Sequence, residues 1–338
     1  MMAGGSAVED FPALTNPFRR ELLAHCYRML GSVHEAEDLV QETYLRAWRA
    51  YEKFEGRSSL RTWLHRIATN TCLDALESRG RRPLPTGLGA PNADPSDELV
   101  EQHEVPWLEP VPDAMVGADG ADPAAIVTSR ESIRLAFVAA LQHLPPRQRA
   151  VLLLCEVLRW KAAEAADLLG TSTASVNSAL QRARAQLGRV APSENAVTEP
   201  EDAGQRELLD RYVAAFEKKD MAAIVGLFTE DAVWEMPPFT GWYRGPEDIG
   251  VLIDTRCPGG PDDMRLVPIA LNGRPAFGLY MRGEDRRFLP FNMVALTLSG
   301  SRVSHAVAFF DRRLFATFGL PDHLPADTGP AQRRFARS

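Results

Sequence analysis

The sequence predicts a multi-domain protein: two all-α helical domains, the second a helix-turn-helix, followed by an α+β cone with a curved antiparallel sheet. Three observations carry this. Apolar residues recur at three- and four-residue steps through residues 17–82 and 130–190, the period of helices with one buried face. Between those stretches lies a Pro-, Gly- and Asp-rich segment without one Lys or Arg between Arg82 and Arg130. After residue 205 β-branched and aromatic residues alternate with polar ones, as in half-buried strands.

A chain of 338 residues is too long for one small core and fits two or three domains. Its 45% hydrophobic and 25% charged content is that of a soluble globular protein. No apolar run reaches the roughly 18–20 residues that span a bilayer, so no membrane partner is expected. The start, MMAGGSAVEDFPALTNPF, lacks the charged lead and apolar core of a secretion signal. Cys26, Cys72, Cys155 and Cys257 are scattered in or beside apolar patterns without metal-ligand spacing. The expectation is buried free thiols in a cytoplasmic protein with no metal and no cofactor. The net charge of −7 argues against nucleic-acid binding over the whole surface, yet Arg-rich helical segments flank the acidic tether.

Residues 1–16 are small and polar and are expected to be disordered. From Pro17 to Gly31, Phe18, Leu22, Leu23, Cys26, Tyr27 and Leu30 share one helical face. Gly31 fits a helix end and Ser32 the cap of the next helix. That helix sets Ala36, Leu39, Val40, Thr43, Tyr44, Ala47 and Trp48 inward, and Glu37, Asp38, Gln41, Glu42 and Arg46 outward. After a polar break at Glu55–Ser59 comes a third stripe of Leu60, Trp63, Leu64, Ile67, Ala68, Thr71, Cys72 and Ala75. Its polar partners are Arg61, His65, Arg66, Asn70 and Arg79, running into Arg81 and Arg82. An acidic helix is thus followed by a basic one with aromatics, and a domain of three or four helices closes at residue 82.

Residues 83–129 have little helical period and read as a linker. Within it, DELVEQHEVPWLEPVPD carries Val100, Val105, Trp107, Leu108 and Val111, more apolar surface than a solvated spacer needs. In residues 130–190, Leu144–Pro145–Pro146 stops one helix and starts another. Gln148–Val157 is strongly apolar. AAEAADLLG and TASVNSALQRARAQL then form two helices around Gly170–Thr171–Ser172, the helix-turn-helix pattern, whose second helix belongs in the major groove. Val176, Ala179, Leu180, Ala183 and Leu187 face the core. Ser175, Asn177, Ser178, Gln181, Arg182 and Arg184 face outward, donors and acceptors suited to base edges and phosphates.

The segments AEDLVQETYLRAW and SSLRTWLHRIATNTCLD resemble region 2 of the sigma-70 family, specifically its compact extracytoplasmic-function members, and residues 133–187 resemble region 4. The resemblance implies an alternative sigma factor whose partners are core RNA polymerase and promoter DNA, single-stranded at −10 and duplex at −35. It places Asp38, Leu39, Gln41 and Glu42 against the polymerase clamp. The −10 strand would meet Phe54, Arg61, Arg66, Asn70, Arg79, Arg81 and Arg82, since flipped bases want planar partners and a cationic groove. The −35 duplex falls to the outward residues of the second helix. Asn177 stands where many members carry Arg or Lys, so base preference is not inherited. In the family the connector threads towards the polymerase active centre and RNA exit path. No anti-sigma partner can be named.

A second linker, residues 191–204, leads to a third domain at residues 205–335. Arg206–Lys218 and Met221–Phe228 read as helices, followed by the strand runs AVWEM, MRLVPIALNG, AFGLYMR, FLPFNMVALTLSG and RVSHAVAFFD. Helices first and a bent sheet after make an α+β cone. The pattern LLDRYVAAFEKKDMAAIVGLFTEDAVWEMPP with VSHAVAFFD resembles the SnoaL-like, nuclear-transport-factor-like superfamily, whose members include enzymes and plain binding modules. A small-molecule pocket there would draw on Trp234, Trp242, Tyr243, Asn292, His305 and Asp311. No carboxylate pair or His–Asp pair at fixed spacing points to catalysis, which favours regulation and no enzyme. Two alternatives stay open: a SnoaL-like enzyme fused to sigma-like domains, and a stand-alone helix-turn-helix transcription factor.

Overall fold

The computed structural model describes residues 11–77, 80–116, 132–190 and 203–329. The chain divides into two compact units, residues 1–82 with 108–193, and residues 83–107 with 194–338. The acidic connector is therefore shared between them.

In the first unit α1 (Phe11–Thr15) forms within the terminus expected to be disordered, with Phe11 buried; residues 1–10 lie outside the described residues. Helices α2 (Arg19–Leu30), α3 (Val33–Ala50) and α4 (Leu60–Leu76) pack on one another around Leu22, Tyr27, Val40, Ala47, Leu64 and Cys72. Gly31 ends α2 at φ 73°, a left-handed conformation that favours glycine. A Cβ there would also stand 2.8 Å from Leu108. Ser32 caps α3 by accepting from the Glu35 amide at 3.2 Å, and Ser59 caps α4 by accepting from the Thr62 amide at 3.0 Å.

The same unit holds α5 (Leu135–Leu141), α6 (Pro146–Leu152), α7 (Ala162–Leu168) and α8 (Thr173–Val190). Pro146 opens α6, which continues as a π-helical turn over Leu153–Val157. Gly170, at φ 62°, makes the turn between α7 and α8. Val151, Leu154, Ala165, Ala166 and Val176 bury the helix-turn-helix core, and Leu73 of α4 packs against it. Arg149 is also buried here; it donates to Gln142 Oε1 at 2.9 Å, Leu144 O at 3.1 Å and Met29 O.

The second unit opens with α9 (Ala203–Lys218) and α10 (Met221–Gly226). Six strands follow: β1 (Phe228–Glu235), β2 (Trp242–Arg244), β3 (Met264–Leu271), β4 (Arg274–Arg282), β5 (Phe288–Ser299) and β6 (Arg302–Phe309). Helix α11 (Pro246–Arg256) separates β2 from β3, and α12 (Arg313–Thr317) follows β6. The sheet order is β2-β1-β6-β5-β4-β3. It is mixed rather than wholly antiparallel, because β1 pairs β6 in parallel, Trp234 opposite Ala306. Two elements escaped the sequence pattern: β2 is only three residues long, and α11 follows the turn at Gly245. One sheet face buries Tyr212 stacked on Phe216 at 4.3 Å and on Phe277 at 5.7 Å, with Trp234 beyond.

Candidate promoter and polymerase surfaces

Helix α3 turns one polar stripe to solvent. Asp38, Gln41, Leu45 and Trp48 follow at three- and four-residue steps, and Leu45 and Trp48 are 50% and 51% exposed. Glu42, half-buried in the stripe, accepts from Arg46 Nε at 2.7 Å, and Leu39 is half-buried beside it. Trp48 is a correction to the sequence pattern, which set it inward. The helical step from Val40 and Thr43 reaches Ala47, and that residue holds the core position.

The residues assigned to −10 do not form one open surface. Phe54 and Trp63 lie 4.7 Å apart in a cluster continued by Tyr51 and Phe11. Arg61 pairs with Glu21, donating to Oε2 from Nε at 2.9 Å. His65 Nε2 meets the same carboxylate at 3.1 Å. Burial alone would raise the Glu21 pKa, but the hydrogen bonds from His65 and Arg61 outweigh it and bring it to about 2. Burial pushes the His65 pKa down against the pull of Glu21. Buried His25 lies under the same helix, its Nε2 2.9 Å from Thr69 Oγ1, and desolvation lowers its pKa strongly. Arg66 pairs with Asp167 at 2.8 Å, Arg81 with His143 at 2.8 Å and Arg82 with Glu35 at 2.6 Å. Asn70 is exposed, with no side-chain partner among the described residues. Arg79 lies outside the described residues.

Ser175, Asn177, Ser178, Gln181, Arg182 and Arg184 are all exposed on α8, while Val176 and Ala183 are fully buried. Ser172 caps the helix by accepting from the Ser175 amide at 3.1 Å. Arg184 differs from the rest: it is paired with Glu156 of the π-helical turn.

Residues 83–107 lie along β1, β2 and α11 of the second unit. The Thr86 amide donates to Glu235 Oε2 at 2.7 Å, and Trp242 Nε1 donates to Gly89 O at 2.9 Å. The Asn92 amide donates to Trp242 O at 2.8 Å and its side chain to Tyr243 Oη at 3.2 Å. Thr240 donates to Val100 O at 3.1 Å and Gln102 to Pro238 O at 3.0 Å, on either side of an antiparallel bridge from Glu101 to Phe239. Residues 108–116 instead belong to the first unit. Leu108 is buried, the Glu109 amide donates to Gly31 O at 2.9 Å, and the Glu109 carboxylate accepts from Ser32 Oγ at 2.7 Å at the start of α3.

The six pocket residues do not converge on one site, although Trp234 stands cross-strand from Tyr243 in the core. Trp234 is buried in the aromatic core and Asn292 on β5, and among the described residues Trp234 Nε1 and Asn292 Oδ1 have no hydrogen-bond partner. Trp242 and Tyr243 bind the connector, and Asp311 pairs with Arg313 at 2.6 Å in its own turn. His305 has a partner that the sequence did not disclose: its Nε2 lies 2.7 Å from Glu235 Oε1, and Glu235 has no solvent exposure. The two are far apart in the chain and meet only because β1 and β6 are neighbours. The one local signal is an acid inside the apolar run of β1.

Comparison with known proteins accounts for both units. Sigma-70 region 2 matches residues 14–82, Sigma-70, region 4 matches residues 134–187, and a SnoaL-like domain matches residues 209–312. The chain is 63% identical over 317 residues to the ECF RNA polymerase sigma factor SigG of Mycobacterium tuberculosis, covering 93% of this chain and 85% of that one. The chain belongs to the extracytoplasmic-function sigma factors. A second relative, SigJ of the same organism, is 30% identical over 250 residues, covering 72% of this chain and 70% of SigJ. The crystal structure of that SigJ superposes with a TM-score of 0.59 at 25% identity, covering 93% of this chain and all of the other. As a sigma factor the protein binds core RNA polymerase and promoter DNA through its region 2 and region 4 domains. This sigma factor carries a SnoaL-like cone behind them. Among the described residues no helix is long and apolar enough to cross a membrane.

Proposed function

We propose that the cone regulates this sigma factor by holding its connector, and that it acts as a binding module rather than an enzyme. The supporting observation is the run of hydrogen bonds that fixes residues 86–102 along β1, β2 and α11. Most use backbone groups of the connector, so its main-chain path, including the 3-10 turn Pro85–Gly87, is what the cone recognises. In the sigma family the connector threads towards the polymerase active centre, so a connector held on the cone is withheld from that path.

Asp38, Leu39, Gln41 and Glu42 are the clamp-facing residues in this reading, joined by Leu45 and Trp48 as apolar anchors. Asn70 is the −10 residue ready to act. Arg61, Arg66, Arg81 and Arg82 must exchange their present partners for phosphates. Ser175, Asn177, Ser178, Gln181 and Arg182 read the −35 duplex. The site of action is the cytoplasm, where the polymerase works. Run-off transcription with core polymerase, comparing the full chain with a form ending at Val190, tests the regulatory role. A changed transcript yield is the expected result; equal yields across promoter concentrations would remove the cone from regulation.

A further inference from the structure

Glu235 is an ionisable side chain with no solvent exposure, and both of its oxygens are in use. Oε1 takes His305 Nε2 and Oε2 takes the Thr86 amide, each at 2.7 Å. The parallel register sets Val233 opposite His305, so the imidazole lies diagonally beside Glu235, on the sheet face opposite Trp234 and Ala306. A carboxylate accepts only, so His305 donates through Nε2–H. A buried carboxylate with an acceptor left empty is strongly disfavoured. His305 answers one oxygen. Among the described residues, the other is answered by the connector.

We propose that Glu235 is a desolvation latch for the connector. The cone keeps a buried charge whose second hydrogen bond comes from Thr86 in the connector's 3-10 turn Pro85–Gly87, so the buried carboxylate itself enforces docking. His305 is a positioning residue: it fixes the carboxylate and aims Oε2 at the connector. Release of Thr86 must be accompanied by entry of water to Oε2, which makes undocking an all-or-none step at this point. The proposal rests on the reading that the cone regulates through its connector, and it names the place where that regulation is set.

Hydrogen exchange of the full chain tests it. Glu235→Met removes the charge and keeps the length, so the cone stays folded while the connector loses its anchor. Exchange across residues 84–92 is expected to accelerate about 10-fold or more, with β4 and β5 unchanged. Glu235→Gln sharpens the result. Its carbonyl keeps Thr86 while its amide donates to His305, so connector exchange stays near wild type and the His305 nitrogen shifts report a move to the Nδ1–H tautomer. Unchanged exchange in Glu235→Met with an intact cone overturns the latch. Should that variant not fold, Thr86→Pro deletes the donor without touching the cone, and unchanged exchange at residues 87–92 overturns it equally. The two readings fail separately. Faster connector exchange with wild-type transcription removes regulation and leaves the latch. Altered transcription on truncation at Val190, with exchange in Glu235→Met unmoved, does the reverse.

Discussion

The outward faces of α3 and α4 are neighbours in sequence and opposite in state. On α3, Asp38 and Gln41 stand in solvent beside exposed Leu45 and Trp48, as a surface awaiting a partner does. Around α4 the arginines assigned to DNA are engaged: Arg61 with Glu21, Arg66 with Asp167, Arg81 with His143, Arg82 with Glu35. On the proposed assignment the clamp-facing surface is preformed, whereas the strand-binding surface must trade protein partners for phosphates. A phosphate contact made by exchange gains only the difference between two ion pairs, so the free protein should hold single-stranded DNA weakly.

The strongest way to break this contrast is Glu21→Ala, which strands buried His65 and frees Arg61 at once. The expected loss is about 3 kcal/mol of unfolding free energy, read from denaturant midpoints. Acid should do the same more gradually. Because Glu21 is held at about 2, below the ordinary carboxylate value of 4.5, its contribution is present above pH 4.5 and lost as pH falls towards 2. The depressed His25 and His65 add to that trend from higher pH. The unfolded chain takes up their protons first, near 6.5, so thermal midpoints should begin to fall below that value. Next comes Asp38→Lys with Glu42→Lys, expected to reduce run-off transcription by about 10-fold or more, worth ~1.4 kcal/mol, while duplex affinity holds. Ser172→Ala, which removes the cap of α8, should lower the stability of the first unit by about 1 kcal/mol in chemical denaturation. The smallest effect belongs to Asp167→Ala. It frees Arg66 from a partner that is 71% exposed, and should raise affinity for single-stranded −10 DNA by less than about 1 kcal/mol in fluorescence titration.

Local chemistry was legible and distant pairing was not. Gly31, Ser32, the Pro145–Pro146 break and Gly170 act within a few residues, and each marks the boundary it suggested. The buried and exposed faces of α8 follow from phase alone, with Val176 and Ala183 inside. Trp48 shows where phase was read too generously, since a stripe one residue too wide turns an exposed ring inward. The ion pairs of Arg61, Arg66 and Arg82 depend on which helices become neighbours, and composition carries no trace of that. Glu235 and His305 meet through a parallel pairing that the alternating strand pattern gave no reason to expect. Connector apolar residues such as Leu108 hinted that the segment was not a free spacer; the division of its two halves between units could come only from tertiary structure.

The path of the connector has a consequence in time. Residues 83–107 are synthesised early, but the cone that holds them is made only after both sigma regions. At about 5–20 residues per second, the roughly 220 residues between Trp107 and the end of the cone take on the order of 10–45 s to emerge. Once region 4 is complete at residue 187, the nascent chain carries both sigma regions with an unclaimed connector until the cone has formed. On the proposed regulatory role of the cone, each new copy passes through an unrestrained youth, and the supply of unregulated sigma factor would follow the rate of its own translation.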